Sequence, residues 1–248
     1  MPRLPEASNI KGTYVEPFAG SAAVFFALQP RKAILSDANR ELIQLYKGIK
    51  NYSQKVWGYY ENFPQTKEAY YEIREAEDDN KNLAYRSARL LYLNRTCFKG
   101  MWRHNRNGKF NVGYGGQDRR WVVNKKALKA VAQSLKKATI KKADFEQVVD
   151  SCKEGDFIFL DPPYKPRKKE MNHTHYACGK FTFAQYKKLA RSLKRANKRK
   201  VKWALTISSH PDIVKLFRGN KVIALRRGTG NRLGIRAKKT GEVFICNY

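Results

Sequence analysis

The chain is 248 residues long and 42 % hydrophobic, with 51 Lys plus Arg against 21 Asp plus Glu, a formal net charge of +30. That length suits one α/β domain with an insertion or two small domains, and the apolar content is enough to bury a sizeable core. So large a positive charge points to a polyanionic partner, with nucleic acid ahead of a merely solubilising surface, because self-repulsion at this level destabilises compact states.

No long apolar run or amphipathic anchor supports a membrane partner. Met1-Pro2-Arg3-Leu4-Pro5 has no apolar stretch of the secretory kind, and Cys97, Cys152, Cys178 and Cys246 show no CxxC spacing. The thiols therefore read as reduced, and the chain as cytoplasmic or nucleoid-associated. His173 and His175 read as loop residues rather than metal ligands.

In chain order, Thr13-Tyr14-Val15 reads as a short strand that enters Glu16-Pro17-Phe18-Ala19-Gly20-Ser21. Ala22 to Leu28 reads as a helix with Ser21 as a candidate N-cap, stopped by Pro30. A second strand, Ala33 to Ser36, ends at Asp37, and Glu41 to Ile49 has helical spacing. A strand, a small-residue turn, a helix, a strand and an acid suit a nucleotide-like ligand: small residues let the backbone approach it, and the acid accepts from ribose hydroxyls. GxGxxG itself is absent, so an ordinary βαβ opening remains open.

From Tyr52 the composition turns polar, and Lys67 to Leu93 suggests two helices broken near Asp78-Asp79-Asn80. Asn94 to Gly116 then alternates aromatic and basic residues around Asn107-Gly108, a hairpin turn signal. Aromatics interleaved with Arg and Lys serve stacking and phosphate contacts, against a partly buried β-ribbon with a solvated basic face. Lys125 to Lys137 reads as a basic amphipathic helix and Thr139 to Lys142 as a strand leading to Asp144-Phe145.

Phe157-Ile158-Phe159-Leu160 is an apolar run closed by Asp161-Pro162-Pro163-Tyr164. Proline cannot donate to a sheet ladder, so a buried strand ends there and presents an acid, a fixed carbonyl and a ring at its C-terminal edge, where α/β sheets bind ligands. Those groups suit holding the exocyclic amino group of a planar base while something is transferred to its nitrogen. Lys165 to Lys180 reads as a basic loop. Thr182 to Asn197 is a helix with Phe183, Tyr186, Leu189 and Leu193 on one face; Val201 to Ser208 is a strand and Asp212 to Phe217 a short helix. Val222 to Leu225 and Glu242 to Cys246 are the last strands, flanking a loop from Arg226 to Thr240. The composition shifts near Tyr52 and Lys137 set off 52–137 as an inserted subdomain between 1–51 and 138–248.

The order of YVEPFAGSAAVFF (Tyr14 to Phe26), SDANRELIQLY (Ser36 to Tyr46), LYLNRTCFKGMWRHNRNGKFNV (Leu91 to Val112), FIFLDPPY (Phe157 to Tyr164) and FTFAQ (Phe181 to Gln185) resembles the Dam-type DNA adenine-N6 methyltransferases. The resemblance implies an α/β, Rossmann-like methyltransferase sheet with an inserted helical and β-hairpin DNA-recognition subdomain. It implies S-adenosyl-L-methionine as cofactor, with Phe18, Ala19, Gly20 and Ser21 at its amino-acid moiety and sugar, and Asp37 on the ribose. Asp144 and Phe145 would flank its adenine, and Asp161 would face the cofactor side too. Asp161 and the Pro162 carbonyl would accept both N6 hydrogens of a flipped adenine, with Tyr164 stacked on the ring. Arg103 matches the family's base-reading arginine and Met101 its apolar wedge; Arg95, Phe98, Lys99, Asn105 and Asn111 fall where further DNA contacts are expected. Double-stranded DNA with a GATC-like site is the implied partner, with no metal, and a monomer is expected because no apolar stripe is left over.

Three departures accompany the match. The family's Lys-Trp/Tyr-x-Gly-Gly-Lys segment has no counterpart here, which implies either a truncated start or a more open cofactor pocket with altered first-base reading. Ala22 stands where the cofactor turn often has glycine, and Ser208-Ser209-His210 where Ser-Asn is expected. An RNA base methyltransferase and a basic DNA-binding protein with little or no activity are the alternative functions.

Overall fold

The structure is a computed structural model, and it describes residues 4–64, 66–78, 80–105, 109–116, 123–163, 181–226 and 239–248. Along the chain come β1 (Tyr14–Glu16), α1 (Ala23–Leu28), β2 (Ala33–Asp37), α2 (Arg40–Asn62), α3 (Lys67–Glu75), α4 (Leu83–Thr96) and α5 (Lys125–Lys136). Then follow β3 (Ala138–Lys142), α6 (Phe145–Asp150), β4 (Phe157–Leu160), α7 (Phe183–Lys198), β5 (Lys202–Ser208), α8 (Pro211–Val214), β6 (Lys221–Arg226) and β7 (Lys239–Cys246). Two compact units emerge. The first gathers the described residues of Met1–Ser36, Ala143–Met171 and Phe181–Tyr248, and the second those of Asp37–Lys142.

In the first unit the strands run in the order β2-β1-β4-β5-β7-β6. β1 pairs in parallel with β2 on one side and β4 on the other, β4 pairs in parallel with β5, and β7 lies antiparallel between β5 and β6. The chain thus winds outward from β1 to β2, then restarts on the other side at β4. Such a reversal leaves a crevice beyond the carboxyl ends of the two strands, where ligands of open α/β sheets bind. β4 is buried along its whole length, as a strand inside a parallel sheet must be, and this is why it reads as an unbroken apolar run. Tyr186, Leu189 and Leu193 of α7 and Val148 and Val149 of α6 pack with Ile158 and Leu160 in the core. Trp203, fully buried in β5, satisfies its indole N–H on Asn197 Oδ1 at 2.7 Å.

Two expectations for this unit need correcting. Phe183 is exposed rather than on the buried face of α7, because it is the first helical residue, beside the capping box of Thr182 and Gln185. Ser21 does not cap α1; the cap position is Ala22, with no side-chain bond, and the acceptor comes from elsewhere in the unit. No periodicity in the sequence announces α6, whose short apolar stretch follows directly on Asp144.

In the second unit, α2 runs well past the expected Ile49 to Asn62, with non-helical backbone at Tyr52 (φ −138°, ψ 32°). Asn39 starts it by accepting from the amides of Glu41 and Leu42. Gly48 lets α2 close on α4: a Cβ there would collide with Ser87 Oγ. Arg89 of α4 donates to the carbonyls of Ile73, Arg74 and Ala76 and to Asp78 Oδ2, so one guanidinium closes the C-terminal end of α3. No described helix is long and apolar enough to cross a membrane.

Candidate functional site

The first unit brings the turn after β1 and the acid after β4 to the same edge of the sheet. In that turn Gly20 is left-handed (φ 47°), and open space lies where a Cβ would stand. Ala22 is left-handed as well (φ 50°) and buried. A non-glycine residue in that conformation costs about 1 kcal/mol, which is the physical reason a glycine suits the position. Ala19 N donates to Ser36 O at 2.8 Å, tying the turn to β2, while Ser21 is exposed.

Glu16 is what holds this turn together. Its Oε1 accepts from the Tyr14 hydroxyl at 2.5 Å and from Phe25 N at 2.8 Å, so a strand carboxyl, rather than a Ser21 hydroxyl, satisfies an amide of the first turn of α1. Glu16 is only 2 % exposed. Burial pushes its carboxyl up to about 7; the bonds from Tyr14 and Phe25 pull the other way, and the nearby Asp161 pushes it up further. Burial, with the Glu16 charge beside it, also pushes the Tyr14 phenol well above its ordinary range.

Asp161 follows β4 directly and is exposed; the Thr206 hydroxyl of neighbouring β5 donates to its Oδ1 at 2.6 Å. Pro162 is buried beneath it, and Pro163 O accepts from the Tyr186 hydroxyl at 2.6 Å, so α7 fixes the backbone on which Asp161 stands. Tyr164 lies outside the described residues. Ser208 ends β5, and its Oγ accepts from His210 N at 3.4 Å.

Phe18 and Phe145 stack with centroids 5.1 Å apart, and Phe181 stands edge-on to Phe18 at 5.7 Å. Phe145 is only 6 % exposed, with Lys188 Nζ 5.3 Å from its ring centroid. Asp144 caps α6 through Glu146 N and pairs with Lys188 at 3.1 Å. Of the three rings Phe145 is the most buried, while Phe18 and Phe181 are partly exposed.

Asp37, the last residue of β2, counts with the second unit, where its Oδ1 accepts from Asn39 N at 2.9 Å. The second unit also carries the aromatic and basic segment. His104 bridges Phe110 in antiparallel fashion, with Asn105 N donating to Lys109 O at 2.9 Å and Asn111 N to Arg103 O at 3.1 Å. The segments on either side therefore pair antiparallel; residues 106–108, which include the expected Asn107-Gly108 turn, lie outside the described residues. Arg103 donates from Nε to Asn111 Oδ1 (3.0 Å) and from Nη2 to Asn111 O (3.2 Å), and Asn105 Oδ1 accepts from Lys109 N (3.0 Å). Asn105 and Asn111 thus hold the hairpin with their side-chain oxygens. Phe98 is exposed, with Lys99 Nζ 5.1 Å from its ring; Met101 and Arg95 are half-buried, Arg95 in the last turn of α4. Burial raises the Cys97 thiol to about 11, so it stays protonated beneath this segment.

Sequence reasoning missed the anchors of the hairpin. Tyr70 and Arg74 of α3 both donate to Val112 O, at 2.9 and 3.0 Å, and Glu41 Oε2 meets His104 Nε2 at 2.7 Å. It also missed Glu16, which looked like part of a turn motif until its bonds across the turn were visible.

Comparison with known proteins gives this geometry a setting. A type II methyltransferase of Lactococcus lactis subsp. cremoris, M1.LlaDCHI, is 31 % identical over 99 % of this chain and 88 % of its own. The type II methyltransferase M.MjaIII of Methanocaldococcus jannaschii is 33 % identical over 100 % of this chain and 92 % of its own, and a DNA adenine methylase of Vibrio cholerae 30 % identical over 97 % and 87 %. Among solved structures, an rRNA methyltransferase of Streptomyces viridochromogenes aligns over 97 % of this chain and 79 % of its own, at 16 % identity and a TM-score of 0.36. Residues 3–227 match one family description throughout, and the chain belongs to that family, the D12 class N6 adenine-specific DNA methyltransferases.

Proposed function

We propose that the methyl donor is S-adenosylmethionine, held at the crevice between β1 and β4, and that the acceptor is an adenine turned out of duplex DNA at a GATC-like site. The observation that carries this reading is the exposed Asp161 carboxylate, fixed by Thr206 at the strand edge that also carries the open space over Gly20. The residues present fit such a donor: Gly20 leaves room for it, and Phe18 and Phe181 offer ring faces. S-adenosylmethionine, once bound, supplies an electrophilic methyl group on a sulfonium.

The chain's own residues do the rest. The N6 lone pair of adenine is delocalised into the ring and is a poor nucleophile. Asp161 and the Pro162 carbonyl accept the two amino hydrogens, which draws the nitrogen toward pyramidal geometry and frees its lone pair. Positive charge grows on N6 during transfer, and the Asp161 carboxylate is already in place to stabilise it. The Tyr186 bond to Pro163 O and the Thr206 bond to Asp161 keep both acceptors where they are needed, so little reorganisation is left for the reaction itself. Tyr164 stacks on the adenine in this reading.

The second unit is the DNA reader. Arg103, held from one side by Asn111, presents its remaining donors to a guanine edge, a contact worth about 1–3 kcal/mol of discrimination. Phe98, Lys99, Met101 and Arg95 supply ring, phosphate and wedging contacts around it.

Nucleoside analysis by mass spectrometry of DNA from a host without N6-methyladenine tests the whole reading. Expression of the chain should produce N6-methyladenine at one short sequence. A folded, DNA-bound protein that leaves the DNA unmodified overturns it.

A further inference from the structure

Glu16 is a buried acid that the transfer step above does not use, and its surroundings are unusual for one. It ends β1, with Leu35 of β2 beside it. On the other side β4 is in register, Val15 against Ile158, so Asp161 stands two residues, about 7 Å, beyond the β4 residue level with Glu16. The groups that face Glu16 are the Tyr14 hydroxyl from its own strand, the Phe25 amide from α1 and the Asp161 carboxylate beyond β4. Among the described residues no cationic side chain pairs with it. Glu16 is thus a buried acid beside a second, exposed acid, with only neutral donors bonded to its own carboxyl.

We propose that Glu16 is a proton-linked counter-charge, giving up its proton to solvent when a sulfonium methyl donor settles between the β1 turn and Asp161. The inference rests on the reading of that crevice as the donor site. The step is a simple ionisation: the carboxyl O–H breaks, its electron pair stays on Glu16, and the proton leaves to buffer. Burial, which holds the Glu16 carboxyl near 7, keeps a large share of it protonated at neutral pH. A fixed positive charge nearby reverses the balance, because it stabilises the carboxylate and not the acid. By linkage, the donor then binds the ionised form more tightly, and its affinity falls as pH drops below about 7.

Titration calorimetry of the whole chain with S-adenosylmethionine, at pH 7 in two buffers of different ionisation enthalpy, reads the proton directly. The wild type should release roughly 0.4 proton more than Glu16→Gln, and its affinity should be roughly five- to tenfold weaker at pH 6 than at pH 8, with the variant nearly flat. Glutamine keeps an oxygen to accept from Tyr14 and Phe25, so a purely structural Glu16 would leave both readouts unchanged. S-adenosylhomocysteine, whose sulfur is neutral, should release less proton from the wild type. Equal release from wild type and variant, or from the two ligands, overturns the proposal. If the variant does not fold, the two-ligand comparison on the wild type decides alone. Donor binding without linked proton release refutes only the role of Glu16; no donor binding at any pH refutes the assignment of the crevice as well.

Discussion

Replacing Glu16 by Gln removes a titrating group from the interior of the first unit while leaving its hydrogen-bond geometry in place, and the consequence can be worked out from burial. The carboxyl ionises near 4.5 in an unfolded chain and near 7 in the folded one, chiefly because it is buried. The folded state therefore holds this proton more tightly, and raising the pH from the ordinary value toward 7 costs stability. Below the ordinary value the penalty is absent, and above about 7 it levels off. At about 1.4 kcal/mol for each pH unit, the full penalty is roughly 3 kcal/mol, of which about 2.5 kcal/mol is added between pH 5 and pH 8. Glutamine carries no such penalty. Urea unfolding of wild type and Glu16→Gln at a series of pH values should show the variant gaining about 2.5 kcal/mol relative to wild type between pH 5 and pH 8, with no further gain beyond. The many Lys and Arg side chains are common to both proteins and drop out of the difference. A difference that stays constant with pH, or one in which the wild type gains on the variant as pH rises, would show that Glu16 ionises like an exposed acid and would refute the reasoning.

Asp161→Ala should abolish methyl transfer, while DNA affinity in a gel-shift titration and thermal stability stay within the range of an ordinary surface change; a variant that keeps most of its activity would refute the assigned role. Gly20→Ala should cost about 1 kcal/mol in unfolding experiments, from the left-handed backbone alone, since the added Cβ meets nothing. It should weaken S-adenosylmethionine binding as well, because that Cβ enters the space assigned to the donor, and unchanged affinity would place the donor elsewhere. Arg103→Ala should relax sequence preference more than it lowers overall DNA affinity. A uniform loss across all sequences with a shallower salt dependence would instead mark a phosphate contact.

Much of this protein is legible in its sequence, for reasons specific to each stretch. The run Phe157 to Leu160 announces a strand buried on both faces, and Pro162-Pro163 its end, because a parallel central strand has no polar face and proline no N–H to give. The two helices either side of Asp78 to Asn80 follow from local capping chemistry, and the antiparallel pairing of His104 with Phe110 agrees with the turn signal between them. At Ala22 the resemblance to the family marked a position where glycine is frequent, and the backbone there is left-handed.

What it could not show are relations between residues far apart in the chain. Nothing near Glu16 says that its carboxyl, rather than Ser21, serves the first turn of α1, since the choice depends on where the turn after β1 points the helix. Nothing near Phe145 says that Phe18 and Phe181 cover it, or that Tyr70 and Arg74 hold the hairpin at Val112 from a helix some forty residues earlier. The sequence by itself determined the order of the strands and motifs and most of the helices, though not α6, because periodicity and turn residues are local properties, and the order of the motifs carried the resemblance to the family. The tertiary structure decided which carboxyl is buried and which exposed. Desolvation is set by everything that packs around a group, and that is why Glu16 and Asp161, at the ends of neighbouring strands, are left in opposite environments.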